Sequence, residues 1–442
     1  MPHHYVIVGS GIAGLTAAET LRQREPGADL SVIAEEPHGF YSRPGLAYYL
    51  RGDVPEKQLF ARTSADLHAL RLNWLKARVD QLRPDAHQVS LSNGKTLTYD
   101  RLLLATGSIA VTPDFPGYDL AGVVKLDNLD DAHHILRLAG RSRTAIVVGG
   151  GITALELVEG LRARGMRVHY LLRGDRYWSN VLDETESRII EERLKSEGVI
   201  IHYHTQVKQA LGKRGQLIGV ETHSGERIAC NVLAAAIGVR PRIDLARQAG
   251  LTLDRGIVVD EFLHTSAPDV FAAGDVAQAY DRRSGRTLLD TLWSPALDHG
   301  RVAGANMAGA QIEYVKQVAF NVTQLAGLTT TIIGAVGSGR DEDLTTIARG
   351  DSEAWRLLPD AWVVTEREDV NRIRLLIGEQ AITGALVMGD QSLSRPLHRL
   401  VADQVDISPV RAALTTDQAS ALAHLTYFYQ QWERADYAPT NV

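Results

Sequence analysis

Apolar and polar positions fall into blocks along this chain, and one order of blocks occurs twice. Tyr5 to Val8 is a continuous apolar run that meets Gly9-Ser-Gly11-Ile-Ala-Gly14, and an alanine-rich stretch with helical spacing follows from Leu15 to Arg24. A second run, Asp29 to Ala34, ends at Glu35 and Glu36. Short uninterrupted apolar runs bounded by turn residues read as buried strands, so the pattern predicts a strand, turn, helix and strand. The order returns at Thr144 to Val148, with the turn Gly149-Gly-Gly151-Ile-Thr-Ala154, a helix from Leu155 to Arg164 and a return strand from Arg167 to Leu172. Two such units in one chain imply two nucleotides.

Between the units, Asn93-Gly94 predicts a hairpin, followed by a strand from Leu97 to Ala105 and then Thr106-Gly107-Ser108. The Pro/Gly-rich stretch Pro113 to Gly117 and the segment Gly238-Val-Arg-Pro241 predict crossings between domains. Past about residue 320 the pattern changes. Arg372 to Ile377 and Ala381 to Met388 read as strands joined at Gly378-Glu-Gln, with helices from Pro396 onward, which predicts a smaller α+β domain. Val318 to Ser338 carries no charge, but its threonines, Asn321 and Gln324 make it a buried strand and turn rather than a membrane span.

Composition narrows the class. The chain has 442 residues, 45% hydrophobic and 23% charged, with a formal net charge of -6 and no basic stripe, which argues against a nucleic-acid partner. Its one cysteine, Cys230, cannot make an intramolecular disulfide, hold an Fe-S cluster alone or act as a redox dithiol, and a reducing cytoplasm fits. The first residues run straight into the strand at Tyr5 without an export signal, so a cytoplasmic protein with no membrane span is expected.

The glycine turns carry the chemistry. Gly9 permits a tight turn, Gly11 lets the backbone approach a pyrophosphate, and Gly14 lets helix and strand pack closely. With Ile12 and Ala13 they form a candidate dinucleotide cradle at a helix N-terminus, where free N–H groups favour an anion. Glu35 is placed to accept hydrogen bonds from a ribose diol. In the second turn, Gly149, Gly151, Ile152 and Ala154 play the same part, but Arg173 stands where a diol-binding carboxylate is expected. A guanidinium suits a 2'-phosphate, which favours NADPH over NADH; the plainer reading makes Arg173 and Arg176 ordinary surface charges. Glu156 comes after the same turn as a candidate or a solvated helix residue. In the segment from Thr265 to Val276, an apolar strand ends at Gly274-Asp275 and leads into a helical pattern. That would put Asp275 at a strand end beside the cofactor, able to accept from a polyol. Standing alone, the motif reads equally as a capping aspartate.

Together these motifs resemble a known family. Gly9-x-Gly11-x-x-Gly14, Ala105-Thr106-Gly107, Gly149-x-Gly151-x-x-Ala154 and Thr265 through Gly274-Asp275 follow the order and spacing of the FAD-dependent pyridine nucleotide oxidoreductases, the glutathione reductase-like superfamily. The resemblance covers residues 5 to 320 and is strongest to the ferredoxin and rubredoxin reductase branch and the NADH-dependent flavin module of nitrite reductases. Tyr41-Ser-Arg43-Pro44 followed by Leu46 resembles the segment that runs past the flavin there. The resemblance implies that Gly9, Gly11, Gly14, Glu35, Arg43, Val79, Ala105, Thr106, Gly107, Gly274 and Asp275 contact FAD, and that Gly149, Gly151, Ala154, Arg173 and Gly238 contact NAD(P)H. The implied fold is α/β. It has two Rossmann-like domains, an FAD domain in two parts (1–112 and 244–320) and an inserted NAD(P)H domain (113–243). A small α+β domain (321–442) completes it, of the kind that often supports a homodimer.

The departures matter as much. Members that reduce disulfides carry a cysteine pair in the first long helix, and an oxidase branch carries one redox cysteine near Tyr41 to Pro44 and a histidine where this chain has Ile12; this chain has none of these. Cys230, in an apolar strand pattern, reads as a small buried residue. The expected reaction is hydride transfer from NAD(P)H to FAD, then electron transfer without a protein disulfide to a small redox protein of the ferredoxin or rubredoxin type. The alternatives are an NAD(P)H oxidase or quinone reductase, and a redox-sensing interaction protein resembling apoptosis-inducing factors. His38 and His299 are candidates for tuning the flavin or acceptor site, against the plainer reading of surface or packed histidines. Tyr427, Phe428, Tyr429 and Trp432 read as an interface or packing cluster.

Overall fold

A computed structural model describes residues 2–282, 284–337, 352, 362–368 (backbone only), 371–416 and 420–436. They form two compact units. One takes the described residues up to Asp175, Gly198–Lys316 and Ser352; the other takes Arg176–Glu197 and the remaining described residues from Gln317 onward.

The first unit is built on two parallel five-stranded sheets. In one, the strand order is Val270–Ala272, Arg101–Leu104, His4–Val8, Asp29–Ala34, Asn73–Lys76. His4–Val8 is the middle strand and Tyr5 to Val8 are all buried, which is why the run shows no polar alternation. The helix expected from Leu15 begins earlier and spans Ile12–Arg24, with Gly11 as its N-cap, so the glycine turn and the helix start are one structure. The stretch expected as one strand to Ala105 is two, Thr96–Thr98 and Arg101–Leu104. The chain breaks where Asp100 turns to accept the His4 N–H at 2.6 Å. The second sheet has the order Ile200–His202, Arg167–Leu171, Thr144–Val148, Val232–Ala235, Val123–Val124, and its helix Ile152–Ala163 likewise starts at the glycine turn.

Helix Trp293–Met307 lies directly on helix Ile12–Arg24. A Cβ added at Gly300 would stand 2.3 Å from the Ala13 carbonyl oxygen, and one at Gly304 would stand 2.7 Å from that of Ala17. Any larger side chain at either glycine would force the two backbones apart. Cys230 sits between strands Arg227–Ala229 and Val232–Ala235, 2% exposed and packed with Ile146, Leu171 and Ile228. Burial pushes its thiol up to about 12, which leaves almost no thiolate near neutral pH.

The second unit carries an antiparallel sheet in the order Phe320–Leu325, Leu328–Gly334, Ile382–Met388, Asn371–Ile377, Trp362–Glu368. The uncharged stretch is the hairpin formed by its first two strands, turning at Ala326-Gly327; Ser338, at its expected end, lies outside the described residues. Helix Glu184–Ser196 belongs to this unit and opens on a reciprocal cap between Asp183 and Glu186. Glu186 is fully buried and accepts Arg374 Nε at 2.9 Å, while Arg374 donates on to the carbonyls of Val181 (2.6 Å) and Val336 (2.7 Å). Phe428, Tyr429 and Trp432 pack against the unit's core, and Tyr427 is exposed. Among the described residues, no helix is long and apolar enough to cross a membrane.

Candidate functional site

The candidate residues of the first fingerprint converge at the C-terminal edge of the first parallel sheet, where ligands of open α/β sheets bind. A Cβ on Gly9, whose φ is +114°, would lie 2.1 Å from the Ala105 carbonyl oxygen and 3.3 Å from Thr106 N. One on Gly14 would lie 2.1 Å from the Gly9 carbonyl oxygen. Gly11 differs from both: nothing lies within 4 Å of a Cβ built there. Two glycines are therefore needed for packing and the third faces open space at a helix N-terminus, which is the shape a pyrophosphate requires. Gly107 also has open space around it, and Gly274 lies 3.0 Å from the Ala13 Cβ by the same construction.

Asp275 lies just past strand Val270–Ala272 and accepts the Ser108 hydroxyl at 2.7 Å. The helix expected after it is absent. Gly274–Val276 is a single 3₁₀ turn, and Ala277–Asp281 is a strand paired with Ile257–Val259. Alanines give that segment helical propensity, but pairing decides, and buried Gln278 fastens it by donating to Asp254 (2.8 Å) and Thr287 (2.9 Å).

At the end of strand Asp29–Ala34, the two glutamates divide. Glu36 turns inward, accepting Tyr41 OH at 2.7 Å and pairing with Arg43. Glu35 stays 59% exposed, 3.9 Å from Arg242 Nη1. Arg43 also donates to the Asp127 carbonyl oxygen at 2.7 Å and lies over the Tyr41 ring, so its charge is largely committed within the protein. Burial first, and Glu36 after it, hold the Tyr41 phenol above its ordinary range although Arg43 opposes them, so it is a neutral donor. Val79 is half-buried opposite Leu91 at the edge of the same core. His38 is not oriented toward these groups by any hydrogen bond among the described residues; its Nε2 meets Asp130 Oδ1 at 3.0 Å.

The second fingerprint repeats the tight first turn. A Cβ on Gly149 would lie 2.1 Å from the Ala236 carbonyl oxygen, and Gly150, at the position of Ser10 in the first unit, faces open space. Gly151, Thr153, Ala236 and Gly238 line an open cleft with Ala110 and Leu126. Ala154 is fully buried and its methyl stands 3.2 Å from the Gly149 Cβ position, so alanine fills the packing role that Gly14 has in the first unit. Ile152 is buried in the same helix, and Glu156 is half-buried two residues after the fingerprint. Arg173 is exposed just beyond strand Arg167–Leu171.

Strand Ser108–Ala110 pairs with Val239–Pro241 and joins the two clusters, and Arg242 comes next in the chain. Arg242 donates Nε to the Ser108 carbonyl oxygen at 3.3 Å, accepts the Thr106 hydroxyl on its own carbonyl at 3.1 Å, and reaches Asp127 at 3.5 Å and Glu35 at 3.9 Å. Ser108, Thr153, Asp127 and Arg242 are not candidates on the motifs alone. The only signal is adjacency, since Ser108 follows Ala105-Thr106-Gly107 and Arg242 follows the crossing at Pro241.

Comparisons with known proteins show the family and the fold. The family model described as pyridine nucleotide-disulphide oxidoreductase matches residues 3–310. The chain is 32% identical over 359 residues to the ferredoxin reductase component of a chlorobenzene dioxygenase from Cupriavidus sp. (strain PS12), covering 81% of this chain and 87% of that protein. Among solved structures, a ferredoxin reductase from Rhodopseudomonas palustris superposes with a TM-score of 0.83 at 23% identity, covering 95% of this chain and 99% of that one. Putidaredoxin reductase in covalent complex with putidaredoxin gives 0.83 at 22%, covering 97% and 99%.

Proposed function

Because the chain belongs to the pyridine nucleotide-disulphide oxidoreductase family, we propose that this FAD-dependent NAD(P)H oxidoreductase passes its electrons to a small redox protein of the ferredoxin or rubredoxin type, with no protein sulfur between. The observation that carries the reading is the single thiol, Cys230, buried at 2% and pushed up to about 12. A thiol held protonated inside a strand layer relays nothing. The ferredoxin reductase named among the relatives supports the choice of acceptor.

Bound FAD supplies hydride acceptance from the nicotinamide and onward electron release. The chain's residues bind and orient. Gly11, with the N–H groups of Ile12 and Ala13, takes the FAD pyrophosphate; Gly9, Gly14, Ala105, Thr106 and Gly107 shape that turn; Glu35 accepts from the ribose diol. Asp275, steered by Ser108, accepts from the polyol beside Gly274. Arg43 and Val79 act as walls, the arginine's charge being held by Glu36. Gly151 and Gly238, with Thr153, line the NAD(P)H cleft, and Gly149, Ile152 and Ala154 shape the turn and helix start beneath it. Residues 1–112 and 244–320 make the FAD domain, 113–243 the NAD(P)H domain and 321–442 the C-terminal domain. Arg173, where a diol would call for a carboxylate, supports NADPH over NADH.

The test is anaerobic stopped-flow reduction of the holoprotein by NADPH and by NADH, followed by mixing with ferredoxins, rubredoxins, quinones or air-saturated buffer. Reoxidation by an iron–sulfur carrier well above the air rate is expected. Reoxidation by no carrier above that rate refutes the acceptor.

A further inference from the structure

Resting on the FAD reading, we propose that His299 is a positioning residue for the flavin site: it holds the Gly274-Asp275 turn in the conformation that presents Asp275 to the polyol. His299 is 3% exposed on helix Trp293–Met307, and its Nδ1 accepts the Gly274 N–H at 3.2 Å. Gly274 needs that help. Its φ is +76°, and its N–H, buried just past the end of strand Val270–Ala272, has no backbone acceptor among the described residues. Left unpaired, such a donor destabilises the turn, and the next residue is Asp275, whose carboxylate Ser108 steers at 2.7 Å.

The other ring nitrogen argues that this acceptor matters. When Nδ1 accepts, a neutral ring carries its proton on Nε2, and Nε2 is buried with no hydrogen-bond partner among the described residues. A hydrophobic residue of similar size would avoid that cost. Among the described residues, the hydrogen bond the ring makes is therefore the one it accepts from Gly274. The ring stays neutral because burial lowers its pKa to about 4; Asp290 opposes this and Lys316 adds to it, the two being paired with each other and Asp290 also taking the Ser352 hydroxyl. Tyr314 closes the remaining side, its ring edge-on at 4.3 Å. The neighbouring Gly300 presses its helix onto Ala13 of the fingerprint helix, so the imidazole is held at a fixed height against the turn.

Asparagine separates positioning from packing, because its Oδ1 hangs from Cγ as Nδ1 does in histidine, whereas leucine fills space and accepts nothing. FAD release from the holoprotein after dilution is followed by flavin fluorescence for the native protein, His299→Asn, His299→Leu and His299→Met, the last being an adaptable side chain in case branched leucine does not fold. Thermal unfolding of the FAD-stripped forms is measured alongside. The apolar variants should release FAD roughly tenfold faster than native protein. His299→Asn should stay near the native rate although its stripped form melts as low as theirs, since all three lose the ring contact with Tyr314. Equal release from the asparagine and apolar variants, or native release from all of them, overturns the assignment alone. A native protein that holds no FAD overturns the FAD reading and the assignment with it.

Discussion

Replacing Gly11 with alanine adds a methyl where no protein atom lies within 4 Å, on a backbone already extended at φ −70°, ψ −176°. The folded protein alone has no reason to resist it. Narrowing the unfolded chain stabilises by about 0.4–1 kcal/mol at a compatible site, so the FAD-stripped Gly11→Ala protein should melt at or slightly above the native temperature. Its FAD affinity should fall at least about tenfold, or ~1.4 kcal/mol, because the methyl stands between the helix N-terminus and the pyrophosphate. Gly14→Ala inverts the pattern in the stripped protein. Its Cβ would lie 2.1 Å from the Gly9 carbonyl oxygen and 3.2 Å from Ile7 Cγ2, where ordinary contact begins at 3.4 Å, so helix and strand must separate by about an ångström. Overpacking of that kind costs about 1–3 kcal/mol or more, and the stripped protein should melt measurably lower. Thermal unfolding of stripped protein and a fluorescence titration with FAD read both variants. Native FAD affinity in Gly11→Ala refutes the cradle, and native melting in Gly14→Ala refutes the close contact.

Three further outcomes are expected. His299 has its pKa depressed from 6.5 to about 4 by burial, so the unfolded chain binds the extra proton between those values; stability present above pH 6.5 is lost as pH falls toward 4, by on the order of 3 kcal/mol, and urea titrations of His299→Asn that keep the native slope across this window refute it. Arg374→Met leaves Glu186 buried without its main partner and should cost about 3–5 kcal/mol, nearer the lower figure because Arg372 stands 3.5 Å away; adding Glu186→Leu should recover much of it in denaturant unfolding, and no recovery refutes the pair as the cause. Arg173→Glu should raise the KM for NADPH relative to that for NADH by at least about tenfold, and an unchanged ratio in steady-state kinetics removes Arg173 from the 2'-phosphate site.

The legible parts of the molecule are those whose causes are local. A strand buried on both faces shows as an unbroken apolar run at Tyr5 to Val8, and the adjoining glycines are fixed by contacts within a few residues or with the next strand. The apolar pattern places the helix starts three residues late, at Leu15 and Leu155 instead of Ile12 and Ile152, because it begins only after the turn that the N-terminus helps to build. The segment after Asp275 reads as helix because its alanines carry that propensity. Its strand is imposed by Ile257–Val259 and by the hydrogen bonds of Gln278, partners that no local window contains.

Glu35 and His299 are side chains at the site that a local window under-reads. Spacing marks Glu35, but the cation beside it is Arg242, 3.9 Å away and distant in sequence, which also reaches Asp127. A motif marks where a ligand can sit; whether the carboxylate is held in the geometry the ligand needs depends on groups distant in sequence. His299 reads from its neighbours as a surface or packed histidine, and it is packed; the role proposed for it emerges from Gly274, whose buried N–H has no backbone acceptor among the described residues. Arg242 comes to Glu35 from a distant part of the chain, and His299 reaches Gly274 from the helix that follows it. Substitutions at Arg242 and His299 should therefore disturb the flavin site without touching any residue of the fingerprints themselves.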